Sequence, residues 1–226
     1  MKRTFEIEFI EKHLVIYDKG NIIVVDTGNP LTIHTANTLY FVDKQYQVTT
    51  NMMGNSIDTL KAMAKVEFTT LLGLDILAEY KIILDYQENQ ITFCTHDEVM
   101  PEGNSYPIEC SMGAITIPIT ARGNNLNMIL DTGATLSYVD SNVTYGMESK
   151  ETMTDFSPLI GGKFTTKVYE IESSFYGEKF NCRYGNLPYL IASMVNTLGA
   201  NGVIGYDFLS KFKMVLDIRN RKLTII

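Results

Sequence analysis

The chain has 226 residues, 45% hydrophobic and 20% charged, with a formal net charge of −7. That profile fits a soluble globular protein of one large or two small domains, and without a run of Lys or Arg it speaks against nucleic acid or an anionic membrane as a partner. Cys94, Cys110 and Cys182 are sparse and odd in number, as reduced thiols are, and Glu6, Glu8, Glu11 and Lys12 interrupt any signal-peptide core, so a cytoplasmic protein is expected.

Taken in chain order, residues 14–28 (LVIYDKGNIIVVDTG) read as two apolar strands joined by a turn at Asp18-Lys19-Gly20-Asn21. The second strand delivers the triplet Asp26-Thr27-Gly28. Residues 41–56 carry only a short hairpin signal, and a helix is expected over roughly 56–65. Residues 71–93 (LLGLDILAEYKIILDYQENQITF) give an apolar pair, a Gly-x-Asp, a short stretch with helical spacing and a closing hairpin. A linker over 97–108 comes next, rich in acidic residues, Gly and Pro.

The pattern then repeats. Residues 117–133 (IPITARGNNLNMILDTG) are again two strands ending in Asp131-Thr132-Gly133, and residues 203–226 (VIGYDFLSKFKMVLDIRNRKLTII) repeat the Gly-x-Asp block behind an expected helix at 190–198. We therefore divide the chain into a first half, 1–96, and a second half, 109–226, in an all-β, pseudo-two-fold duplicated fold with a short helix or two per half. The second half is longer. Its extra residues, around 157–188, read as one hairpin about Gly161-Gly162 and another turning near Tyr176-Gly177-Glu178.

One Asp-Thr-Gly alone reads as a strand ending in a turn. Two copies at the same point of a repeated unit point to paired carboxylates, since across a pseudo-two-fold axis Asp26 and Asp131 would meet and share one proton. Thr27 and Thr132 would tie the halves together. Gly28 and Gly133 would allow the sharp backbone and bring an N–H toward each carboxylate. The triplets differ in their C-terminal neighbours. Asn29 is expected to donate its amide to Asp26 and favour the ionised form there, whereas Ala134 offers Asp131 no such group. Asp75 and Asp207 are expected to cap the short helices after Gly73 and Gly205. The methionines are assigned to the core first and an apolar cleft second. His13, His34 and His96 have no metal-ligand spacing and are given no role; no metal or other cofactor is expected.

With ILDTGATLSYVD and VIGYDFLSKFKMVLDI in the second half, and VVDTGNP and LLGLDILAEYKIILDY in the first, the chain resembles the retropepsin-like aspartic proteases. The resemblance covers most of the chain and implies an acid-protease barrel with both triplets supplied by one chain. It implies an endopeptidase with Asp26 and Asp131 catalytic, supported by Thr27, Gly28, Thr132 and Gly133; Ala134 and Asn29 are counted with these supports from their positions, Asn29 standing where family members usually have Ala or Ser. Ile160, Gly161 and Gly162 would form a flap closing over an extended peptide or protein substrate, and the first half's flap is expected to be truncated. A monomer is expected. The competing expectation is a catalytically inactive peptide-binding or assembly module of the same fold.

Overall fold

The computed structural model describes the backbone of all 226 residues and every side chain except that of Leu159. Three sheets carry the fold. The first has five strands in the order Glu8–Ile10, His13–Asp18, Asn21–Val25, Thr70–Leu72, Ile33–His34. The second has eight, in the order Glu109–Ser111, Ala114–Ala121, Asn124–Leu130, Gly202–Ile204, Ser137–Val139, Glu178–Asn186, Gly162–Phe175, Glu151–Ser157. Both begin with the same unit: an edge strand, a hairpin, then a strand that leads into a triplet and pairs in parallel with the strand arriving at Gly73 or Gly205. Both inner hairpins turn through two residues at positive φ, as their right-handed twist demands. These are Lys19-Gly20 and Arg122-Gly123, so the neighbouring Asn residues are not the ones that take the left-handed angle.

The third sheet joins the halves. Its six strands run Lys2–Glu6, Gln90–Cys94, Lys81–Asp85, Met214–Asp217, Lys222–Ile225, Asn104–Pro107. At its centre Lys81–Asp85 pairs antiparallel with Met214–Asp217, and the outermost strand comes from the segment read in the sequence as linker. Asn104–Pro107 pairs with Lys222–Ile225, more than a hundred residues away, a pairing to which no local pattern points.

Five helices are short: α1 Ile57–Ala64, α2 Leu74–Leu77, α3 Ser141–Thr144, α4 Tyr189–Thr197 and α5 Tyr206–Leu209. α1 begins where Ser56 accepts the Thr59 N–H and ends at Lys65 in the left-handed conformation, its N–H bonded to the Lys61 carbonyl. α2 and α5 have Gly73 and Gly205 as N-caps with no side-chain cap bond. Asp75 accepts instead from the Thr32 N–H and hydroxyl at 2.9 and 2.6 Å, and Asp207 accepts from the Arg183 N–H at 2.9 Å. Both carboxylates thus tie a helix to a distant strand or loop; Asp75 also accepts the Ile76 N–H in the first turn of α2 at 2.9 Å, so the capping expected from the sequence is met there in part. No helix among the described residues is long and apolar enough to cross a membrane.

One large core runs through both halves. In the first, Phe41 and Phe93 pack edge-on at 5.0 Å beside Tyr80; in the second, Phe175 and Phe208 do so at 5.5 Å. Each such ring contributes about 2 kcal/mol through burial. Two smaller clusters flank it. One lies under α1 (Val24, Leu60, Phe68) and the other under α4 (Ile129, Ile191, Val195). Residues of both clusters also line one cleft.

Candidate active site

Asp26 and Asp131 lie together in that cleft, which encloses about 440 Å³. Each follows a strand pinned by its parallel neighbour: Asp26 N–H donates to the Leu72 carbonyl and Asp131 N–H to the Ile204 carbonyl, both at 3.0 Å. The loops are then cross-braced. Thr27 N–H donates to the Thr132 hydroxyl at 2.9 Å and Thr132 N–H to the Thr27 hydroxyl at 3.0 Å. Each hydroxyl in turn donates to the opposite half, Thr27 to the Leu130 carbonyl and Thr132 to that of Val25. Buried backbone donors and acceptors need partners, and here each half satisfies the other's.

The glycines explain the close approach. A Cβ on Gly133 would come within 2.8 Å of the Asp26 carboxyl carbon, and a Cβ on Gly28 would overlap the Asp131 carboxyl. Each carboxyl therefore rests over the glycine of the opposite triplet while accepting the N–H of its own, Gly28 to Asp26 and Gly133 to Asp131, both at 2.8 Å.

Both carboxyls keep part of their surface open to the cleft but are otherwise enclosed by protein. Burial pushes both up from the ordinary carboxylate range. For Asp26 the charge of Asp131 adds to this, and the N–H groups of Gly28 and Asn29 oppose it. For Asp131 the opposing N–H groups are those of Gly133 and Ala134. Each carboxyl of the pair therefore gives up its proton at a higher pH than an isolated surface carboxylate would.

The expected role of the Asn29 side chain is not found. Its amide turns away and donates to the Leu31 carbonyl at 3.0 Å. Backbone N–H groups serve both aspartates alike, that of Asn29 for Asp26 and that of Ala134, at 3.1 Å, for Asp131. The amide is captured by a nearer carbonyl, so the reason for making Asp26 the ionised partner falls away.

Ile160, Gly161 and Gly162 lie at the tip of a long hairpin whose strands, Glu151–Ser157 and Gly162–Phe175, pair from Ser157↔Gly162 to Glu151↔Val168. Gly161 has φ +63, which lets the chain reverse after the 3₁₀ turn Pro158–Ile160. Asp155, Phe156, Pro158 and Phe164 of this hairpin line the cleft, while Ile160 packs on the cluster under α4. The first half has a far shorter hairpin in the facing position, Asn51–Met52 with Asn55–Ser56. Met52, Met53 and Asn55 line the cleft, and the Asn55 amide donates to the Pro158 carbonyl at 3.4 Å, bridging its mouth. Met112 and Met194 line it too, whereas Met128 and Met214 are fully buried core.

Four residues to which the sequence gave no role also belong here. His13, Tyr138, Asp155 and Phe156 line the cleft beside Asp131. The internal repeat held a signal for one of them, because His13 stands where the second repeat has Ala114: Ile10 pairs with His13 across one edge turn and Ser111 with Ala114 across the other. Among the described residues no three His, Cys, Asp or Glu side chains gather as a metal site would require.

No protein-family model matches the chain, and no curated protein does. Among solved structures, a retropepsin-like aspartic protease from Rickettsia conorii matches over 55% of this chain and 100% of its own, at 19% identity and a TM-score of 0.41. The simian foamy virus (mac) protease matches over 37% of this chain and 94% of its own, at 24% identity and a TM-score of 0.28. At those TM-scores the functional reading rests on the chain's own geometry.

Proposed function

We propose that the protein is an aspartic endopeptidase in which Asp26 and Asp131 jointly activate a water molecule. The observation that carries this reading is the mutual bracing of the two triplets, which holds the two carboxyls together at the floor of an apolar cleft. One carboxylate takes a proton from the water as its oxygen attacks the peptide carbonyl carbon, and the other carboxyl gives its proton to the carbonyl oxygen. The product is a neutral gem-diol, and the enzyme forms no covalent bond. Collapse of the diol then passes a proton to the leaving nitrogen and restores the shared-proton pair.

The substrate is a peptide in extended form, lying between the long hairpin and the dyad. Main-chain hydrogen bonds set its register and the apolar walls take its side chains. The long hairpin acts as a single flap, supplied by the second half, with Ile160, Gly161 and Gly162 at its tip. It excludes bulk water during the reaction. The chain works as a monomer because both aspartates are its own, and it needs no metal or other cofactor.

The test is incubation of wild type and Asp131→Asn with casein or a peptide library between pH 4 and 8. Wild type should give discrete fragments and the variant none; identical patterns from both would refute the reading.

A further inference from the structure

The two hairpins that face each other across the cleft are anchored differently. In the first half, Met53 and Gly54 turn the short hairpin at φ +52 and +84. The Asn51 side-chain oxygen accepts the Gly54 N–H at 3.0 Å, and the Thr49 hydroxyl donates to the Asn51 carbonyl at 2.7 Å. Asn55 comes next. Ser56 then caps α1, whose Ile57 and Leu60 pack in one cluster with Val24 and Phe68. Asn55 is thereby fixed on both sides, by a hydrogen-bonded turn before it and by a helix rooted in the core after it. Although it lines the cleft, it is only 9% exposed.

The tip of the long hairpin closes through its 3₁₀ turn, where the Gly161 N–H donates to the Pro158 carbonyl at 3.2 Å. Ile160 rests on the apolar cluster under α4, within the same half. The bond that crosses the cleft mouth is the one from the Asn55 amide, which reaches the same Pro158 carbonyl at 3.4 Å. A carbonyl oxygen carries two lone pairs and can accept both donors. A residue set rigidly in the first half thus holds the very turn on which the tip of the second half's hairpin is built.

We infer that Asn55 is a latch, a positioning residue on a fixed jaw that holds the flap tip closed over a bound peptide, with the protease reading of the dyad as the premise. The cleft encloses about 440 Å³ with the bond in place, within the roughly 300–1,000 Å³ of sites that enclose a ligand, so latch and substrate fit together. The peptide enters with the bond broken and is retained when it re-forms. One neutral hydrogen bond shifts such an equilibrium by a factor of about two to ten, strong enough to bias closure and weak enough to release at each turnover. The short hairpin of the first half is then the seat of the flap that the second half supplies.

Amide hydrogen exchange of the full chain tests the latch independently of catalysis. In Asn55→Ala, protection of Gly161 and the neighbouring tip amides should fall by about two- to tenfold, with α1 and Asn21–Val25 unchanged. Asn55→Asp should match Asn55→Ala at pH 7, where the carboxylate has no proton to donate and repels the carbonyl. Near pH 3, below the ordinary aspartate pKa of about 3.9, the new carboxyl is protonated and can donate, so tip protection should return toward that of wild type at the same pH. A residue that only fills space produces no such recovery. Wild-type tip protection in Asn55→Ala, or no recovery on acidification in Asn55→Asp, overturns the latch. In cleavage assays Asn55→Ala should raise KM by a similar factor and leave kcat within about twofold. An unmoved KM, alongside loss of cleavage in Asp131→Asn, would refute the inference and leave the protease reading standing. Absence of cleavage by wild type would remove the protease reading, and exchange at the tip would still decide whether the latch exists.

Discussion

Thr27 and Thr132 each donate a backbone N–H to the other's hydroxyl, at 2.9 and 3.0 Å, across the boundary between the two repeats. Neither residue is more than 3% exposed. The exchange is reciprocal because the two loops carry the same triplet, each at the end of a strand paired in parallel with its neighbour. It also makes the aspartate pair stiff, because neither triplet can shift without breaking bonds in the other.

Thr132→Val should therefore destabilise the chain by about 1–3 kcal/mol, since it orphans the buried Thr27 N–H and the Val25 carbonyl. Thr132→Ser keeps both bonds and should lose less. Urea denaturation midpoints of the two variants check the order, and a Val variant as stable as the Ser variant would contradict it.

The dyad predicts an unusual slope of stability with pH. Both carboxyls are raised above their unfolded value, so between the unfolded and folded pKa values the native state holds more protons than the unfolded chain. Stability should thus be greatest below the ordinary carboxylate range and fall as pH rises toward the folded values. Asp26→Asn should flatten that slope and raise stability at neutral pH while abolishing cleavage. Denaturation midpoints measured across pH 3 to 8 report the difference.

Gly133→Ala probes the approach of the two triplets. The added Cβ would lie 2.8 Å from the Asp26 carboxyl carbon, so the carboxyl must move. A displacement of about 1 Å at the reacting centre costs on the order of 10²-fold in rate. The loss should appear in kcat, with the fold retained by circular dichroism; an unaltered kcat would mean that the carboxyl has room the structure does not show.

Replacing residues 158–161 by an Asn-Gly turn shortens the flap tip and leaves the ladder from Glu151 to Ser157 intact. It also removes the Pro158 carbonyl that Asn55 reaches. Cleavage should fall by at least about tenfold with little change in unfolding midpoint, as expected when a lid no longer orients substrate. Retained turnover would show that the hairpin does not serve as a flap.

Much of the fold is legible in the sequence, for a local reason. Strand alternation, the turn residues Gly20 and Gly123, and the segments that form α1 and α4 are written in short windows, and the repeat makes each window count twice. The two triplets stand out in the same way. Four features are not legible. Asn104–Pro107 finds its partner strand more than a hundred residues on, and Asn29 takes the nearer carbonyl of Leu31 in place of Asp26. Asp75 reaches beyond its own helix to Thr32, and His13 meets a flap that lies far along the chain.

The sequence by itself thus determined a duplicated all-β chain with two Asp-Thr-Gly loops and a long hairpin in its second half, because periodicity and repetition are properties of neighbours. Only the tertiary structure decided that the loops brace each other through their threonines, that the two carboxyls are matched by backbone donors, and that a histidine of one half reaches the flap of the other. Those outcomes depend on which buried polar group finds a partner first. That competition is settled by packing across the whole chain.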